Sequence, residues 1–138
     1  MSKSPNALVE EWFERVWNQC DENAVYEMMD PTCNVAGLDT KSAGPEGFLG
    51  FHRSFQNAFD SIHIEVTEAI EQDDLCIGHA RFTATHKGTG KPVDMVFSAS
   101  TRWRDGKIYE ARNIVDFTTM LIQIGLLDPQ IMVQALGE

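Results

Sequence analysis

The chain has 138 residues, 43% hydrophobic and 23% charged, enough to bury a core and in keeping with one domain over 1–138. A net charge of -10 and a pI near 4.7 repel phosphate backbones and anionic membranes, arguing against nucleic acid and membrane partners. No leader-like or bilayer-spanning apolar run is visible, which predicts a cytoplasmic protein.

Ser4 as N-cap and Pro5 at the first helical position open a predicted helix over 4–20. Its apolar set, Leu8, Val9, Trp12, Phe13, Val16, Trp17 and Cys20, recurs at helical spacing. Asn23 is the candidate cap of a second, shorter helix that Asp30-Pro31 stops. An extended piece, 33–38, and a polar loop lead to Pro45 and a third helix with the stripe Phe48, Phe51, His52, Phe55, Ala58 and Phe59.

From Ser61 the period falls to two: Ile62, Ile64 and Val66 alternate with polar residues, and Ile70 lies in phase. Three more extended runs follow, 75–87, 93–104 and 107–117, joined by turns at Gly88–Pro92 and Asp105-Gly106. Met120, Leu121, Ile124 and Leu127 predict a short helix, and Asp128-Pro129 starts a last apolar turn with Ile131, Met132, Ala135 and Leu136. Helices followed by an antiparallel meander predict an α+β class, with the helices packed on the apolar sheet face.

A two-residue turn at Asp105-Gly106 predicts the pairs Trp103 with Ile108, Ala99 with Arg112, Phe97 with Ile114 and Met95 with Asp116. The neighbouring hairpin pairs Val93 with His86, Met95 with Ala84 and Phe97 with Phe82. The apolar face then carries His86, Arg112, Asp116 and Glu110. The opposite face holds Arg81, Thr83, Thr85, Asp94, Ser98, Ser100, Arg102 and Asn113. A single bulge reverses this assignment for every residue beyond it.

A carboxylate on an apolar face must be paired, hydrogen-bonded or wet. For Asp116 two roles follow from the residues alone. It is either tied to Arg112 or to the next helix's first turn through Thr118 and Thr119, or it lies in a cavity wall with its pKa raised by desolvation, able to take and return a proton. His86 is a candidate substrate contact or a hydrogen-bonded rim histidine. Phe82, Met95, Phe97, Ile114, Trp12 and Phe55 are the candidate apolar lining, with Arg112 beside Asp116. Cys20, Cys33 and Cys76 are odd in number, far apart and without metal-ligand spacing, which predicts buried free thiols and no metal.

Several stretches together resemble a known family over nearly the whole chain. They are Trp12-Phe13; Gly44-Pro45-Glu46-Gly47 with Phe55 and Phe59; the run from Arg81 to Gly88; and the run from Asp105 to Glu110. Most specific are Asn113-Ile114-Val115-Asp116 and the later Leu121-Ile122-Gln123-Ile124-Gly125. The pattern is similar to the SnoaL-like polyketide cyclase branch of the nuclear transport factor two-like superfamily. That resemblance implies a cone-shaped, strongly curved antiparallel sheet closed by helices around a pocket, in a homodimer. It also implies cofactor-free aldol ring closure of a small apolar or polyketide-like molecule, an isomerase or lyase class of chemistry, with Asp116 as acid/base. In that family His or Trp often stands a few residues before the Asp, where this chain has Ala111, Arg112 and Asn113. A non-catalytic ligand-binding or dimerising domain is the alternative, and an epoxide hydrolase, with Glu110 or Asp39 as a second carboxylate, is a third.

Overall fold

The computed structural model describes residues 3–137. Helix α1 (Pro5–Trp12) begins as expected: the Ser4 hydroxyl accepts the Ala7 N–H and Pro5 occupies the first turn. The predicted helix then changes character. Residues Phe13–Asn18 form a π-helix, with the Gln19 N–H bonded to the Glu14 carbonyl. The wider turns leave the Val16 carbonyl to the ring of His52 (2.8 Å), and they bury Phe13, Val16 and Trp17 together.

Helix α2 (Glu22–Met28) is capped by Asp21, whose carboxylate accepts the Asn23 N–H, and not by Asn23 itself. The carboxylate sits two residues earlier, where the free N–H groups start. Strand β1 (Met29–Ala36) runs through Pro31, which as an edge-strand residue sacrifices no central ladder bond. Helix α3 (Gly44–Ala58) precedes the long strands β2 (Phe59–Gln72), β3 (Leu75–His86), β4 (Pro92–Arg104) and β5 (Lys107–Val115). Helices α4 (Phe117–Gln123) and α5 (Ile131–Ala135) complete the chain. No helix among the described residues is long and apolar enough to cross a membrane.

The fold is α+β, a five-stranded sheet in the order β1-β5-β4-β3-β2 packed against helices. It is antiparallel except at one edge, where β1 pairs parallel with β5. The Asp105-Gly106 turn forms as predicted, with φ of 54° and 76°, the left-handed pair of a two-residue hairpin. Trp103 pairs with Ile108, but the ladder then slips: Arg102 meets Glu110, and Tyr109 is bulged out. Beyond it Ala99 faces Asn113 and Phe97 faces Val115. Arg112, Ile114 and Glu110 therefore lie on the outer face and Asn113 on the inner one, the reverse of the expected arrangement. Ile114 is 72% exposed.

The β3–β4 ladder differs from expectation by two residues, with Val93 on Ala84, Met95 on Phe82 and Phe97 on Ala80. Two is the side-chain period, so the faces are unchanged. In β2 a shift between Val66 and Glu68 turns Ile70 outward, opposite Ile77. Of the cysteines, Cys33 and Cys76 are buried but Cys20 is exposed, since its φ of 53° ends the helical segment and points it away from the core.

Two side-chain amides fasten helices to strand edges. The Asn18 amide accepts from the Ile64 N–H (2.7 Å) and donates to the Ile64 carbonyl (2.9 Å) on edge strand β2. The Gln123 amide makes the same pair with Asp94 of β4, both at 2.8 Å. Strand β5 ends opposite Phe97, so Gln123 supplies the partner that the ladder lacks at Asp94.

Candidate ligand cavity

The inner face of the sheet and the helices line a cavity with about 750 Å³ of atom-free space, solvent at its open edge included. Its buried floor takes Phe82 from β3 and Met95, Phe97, Ala99, Thr101 and Trp103 from β4, because alternate residues of a strand share a face. Trp12, Phe13 and Trp17 close it from the helical side, and Phe48 packs on Trp12 with ring centroids 5.2 Å apart. The half-buried lining residues Val35, Leu38, Phe51, Phe55, Asn113, Val115 and Phe117 mark the mouth.

None of the lining residues is ionisable, and Thr101 and Asn113 are the only ones with a polar side chain apart from the indole N–H groups. Thr101 is 8% exposed, and its Oγ1 accepts the indole N–H of Trp103 (2.9 Å). The Asn113 side chain donates Nδ2–H to the Ala36 carbonyl (3.2 Å). Gly37, at φ +87°, lets the loop lie directly against Asn113: a Cβ there would sit 1.8 Å from the Asn113 carbonyl oxygen.

Of the sequence candidates, Trp12, Phe55, Phe82, Met95 and Phe97 line the cavity. Arg112 and Ile114 do not, because the bulge at Tyr109 turns both outward. His86 ends β3 outside the cavity, its ring 5.3 Å from that of Phe59 and its Nδ1 paired with Thr89 (3.0 Å). Asp116 leaves the apolar face altogether. The ladder ends at Val115, and Asp116 becomes the exposed N-cap of α4, accepting the Thr119 N–H (3.0 Å) and hydroxyl (2.5 Å). Those bonds, the hydroxyl first, hold its pKa below the ordinary carboxylate value; it is not raised by desolvation as a site in the cavity wall would require. It still adjoins the mouth, lying between the lining residues Val115 and Phe117.

Thr101 and Asn113 were not among the sequence candidates. Thr101 shares its parity with Met95, Phe97 and Ala99, so the alternation of β4 alone marks it as inward. Asn113 becomes legible only with the bulge. Outside the cavity, His52 is fully buried, its Nδ1 has no partner, and burial lowers its pKa. Nε2 faces a carbonyl oxygen and so carries a proton, and the lowering by burial favours the neutral ring. Burial pushes the thiols of Cys33 and Cys76 up to about 11, so both remain protonated near neutral pH.

The model of the SnoaL-like polyketide cyclase family matches residues 7–124. Among solved structures the chain is similar to TsrD from Streptomyces laurentii, at 14% identity, TM-score 0.80, with 92% of this chain and 99% of that one covered. It is also similar to IdmH from Streptomyces antibioticus, a provisionally assigned polyketide cyclase, at 27% identity and TM-score 0.78, covering 89% and 99%. A third likeness, at 20% identity and TM-score 0.76, is to a protein of ketosteroid isomerase-like fold from Catenulispora acidiphila, covering 91% and 96%. No curated protein matches the sequence.

Proposed function

Because this chain belongs to the SnoaL-like polyketide cyclase family, we propose that it folds a small apolar, polyketide-like molecule in its cavity and closes a ring in it without a cofactor, with Asp116 as general acid/base at the mouth. The observation that carries this reading is the aromatic-walled cavity with no ionisable lining residue. Such a space favours an uncharged guest, excludes water and holds a flexible chain near its reactive conformation.

Asp116 suits the base step for a particular kind of carbon acid. Its bonds to Thr119 favour the ionised carboxylate, making it ready at neutral pH but weak. A weak base deprotonates a carbon flanked by two carbonyls far more readily than one beside a single carbonyl. The enolate then attacks a ketone of the same molecule, a carbon–carbon bond forms, and the carboxylic acid returns its proton to the new alkoxide.

A second reading, a ligand-binding domain without catalysis, is favoured by the engagement of Asp116 as a helix cap. Asp116→Asn separates the two, because asparagine caps as well as aspartate and the fold is kept. Binding is read from the fluorescence of Trp12, Trp17 and Trp103, all in the cavity wall, and ring closure from product formed out of a linear poly-β-ketone. The cyclase reading expects unchanged binding with ring closure reduced about 100-fold or more. Unchanged ring closure removes Asp116 from the chemistry, and absence of binding removes the cavity as the ligand site.

A further inference from the structure

The middle of the β4–β5 ladder places hydrogen-bonding groups where the rest of the wall has none. Thr101 pairs with Ala111 and Asn113 with Ala99, so the two polar side chains are diagonal neighbours on one face, with small alanines at the other corners. Neither polar group is fully spent within the protein. The Trp103 indole occupies an acceptor site on Thr101 Oγ1 and leaves the hydroxyl proton to be donated. The Asn113 amide gives one N–H to the Ala36 carbonyl and keeps the other. Its orientation is fixed, since turning it would set two oxygens against each other, and Gly37 holds the backbone against it.

We propose that Thr101 and Asn113 form a ketone-reading subsite, and that the ligand is therefore an uncharged aromatic or alicyclic molecule entering with a carbonyl oxygen foremost. This rests on the cavity being the ligand site and not on the chemistry of Asp116. An anionic or cationic ligand would meet no counter-charge in the wall, and desolvation would oppose it. A hydrocarbon would leave the Thr101 donor buried and unpaired, which penalises it relative to the ketone. Asp116 lies three residues beyond Asn113, about 10 Å along the chain. The foremost ketone is thus the anchor, and the carbon atoms near the mouth are the ones presented to Asp116.

The test uses 1-tetralone and tetralin, which share a carbon frame and differ by one ketone. The unmodified protein is expected to bind tetralone about fivefold more tightly, and Thr101→Val to bring the two affinities together through loss of tetralone binding alone. Thr101→Ser, which restores a hydroxyl, recovers the preference. In the unmodified protein the Trp103 indole N–H resonance, bonded to the same oxygen, shifts with tetralone and stays in place with tetralin. Equal affinities in the unmodified protein, or a preference that survives in Thr101→Val, overturns the subsite while leaving the cavity as the ligand site. If neither compound binds, the cavity reading fails and the subsite with it. Should Thr101→Val not fold, the Trp103 signal decides alone, and a signal indifferent to tetralone overturns the proposal.

Discussion

The two faces of the sheet are built from the same strands and obey opposite rules. On the inner face Phe82, Met95, Phe97, Ala99 and Trp103 are buried without a charged neighbour. On the outer face Arg81 and Asp94 pair across β3 and β4, Arg102 reaches Asp74, and Val96 and Ile114 stand in solvent at 63% and 72% exposure. Side-chain alternation creates the contrast, and a single bulged residue, Tyr109, decides which way β5 contributes to it. The lesson is that identity along β5 matters less than parity counted from the bulge.

The sharpest way to break the contrast is to change that parity. Deleting Arg112 either turns Ile114 inward and Asn113 and Val115 outward, or straightens the bulge and drives Glu110 into the cavity. We expect a loss of about 5 kcal/mol, enough to abolish a cooperative denaturant transition. Deleting Tyr109 instead joins Ile108 to Glu110 in the existing register. It costs much less, losing mainly its bond to Asp74 and its contact with Arg104. Equal effects of the two deletions would mean that the bulge does not set the faces.

Truncation on the inner face comes next. Phe97→Ala removes a ring packed edge-on against Phe13 at 5.6 Å and should cost about 3–5 kcal/mol in a urea melt, less if the cavity already relieves its packing. Asp116, at the rim where the faces meet, contributes less. Asp116→Ala is expected to lose about 1 kcal/mol at pH 7, and Asp116→Asn only a few tenths. Because its folded pKa lies below the unfolded one, this stabilisation is present above about pH 4 and fades as pH falls through the lowered value. Melts of the aspartate and alanine forms should therefore converge in acid; divergence there would show that the cap is not the ionised carboxylate. The smallest effect belongs to the outer face: Ile114→Ser should change stability by less than about 0.5 kcal/mol.

Much of the architecture was legible because it rests on local rules. Ser4-Pro5 opened the first helix, Asp105-Gly106 made its turn, and the β3–β4 faces held despite a two-residue slip because two is the strand period. What was not legible has an equally definite cause. No glycine or proline marks Tyr109 as a bulge, so Arg112 and Ile114 were assigned to the wrong face and Asn113 was lost from the right one. The apolar set from Trp12 to Trp17 satisfies an α-helix and a π-helix alike. The parallel partnership of β1 and β5 depends on residues about 75 apart along the chain, a separation no local pattern reports. Asp116 is instructive in both directions. Its bonds to Thr119 were one of two roles open to it from the residues, whereas its place on the apolar face required a ladder that in fact stops at Val115.

The amides of Asn18 and Gln123 grip main-chain atoms, and main-chain atoms are the same whatever side chain they bear. Helices held in this manner depend on no particular side chain at Ile64 or Asp94, so these two attachments survive changes in the lining even where such changes cost packing energy. Size-conserving substitutions at Met95, Phe97 or Phe55 then reshape the space offered to a guest while the helix attachments stay. For engineering, this separates the positions into those to hold fixed, Asn18 and Gln123, and those to randomise when a new guest is wanted.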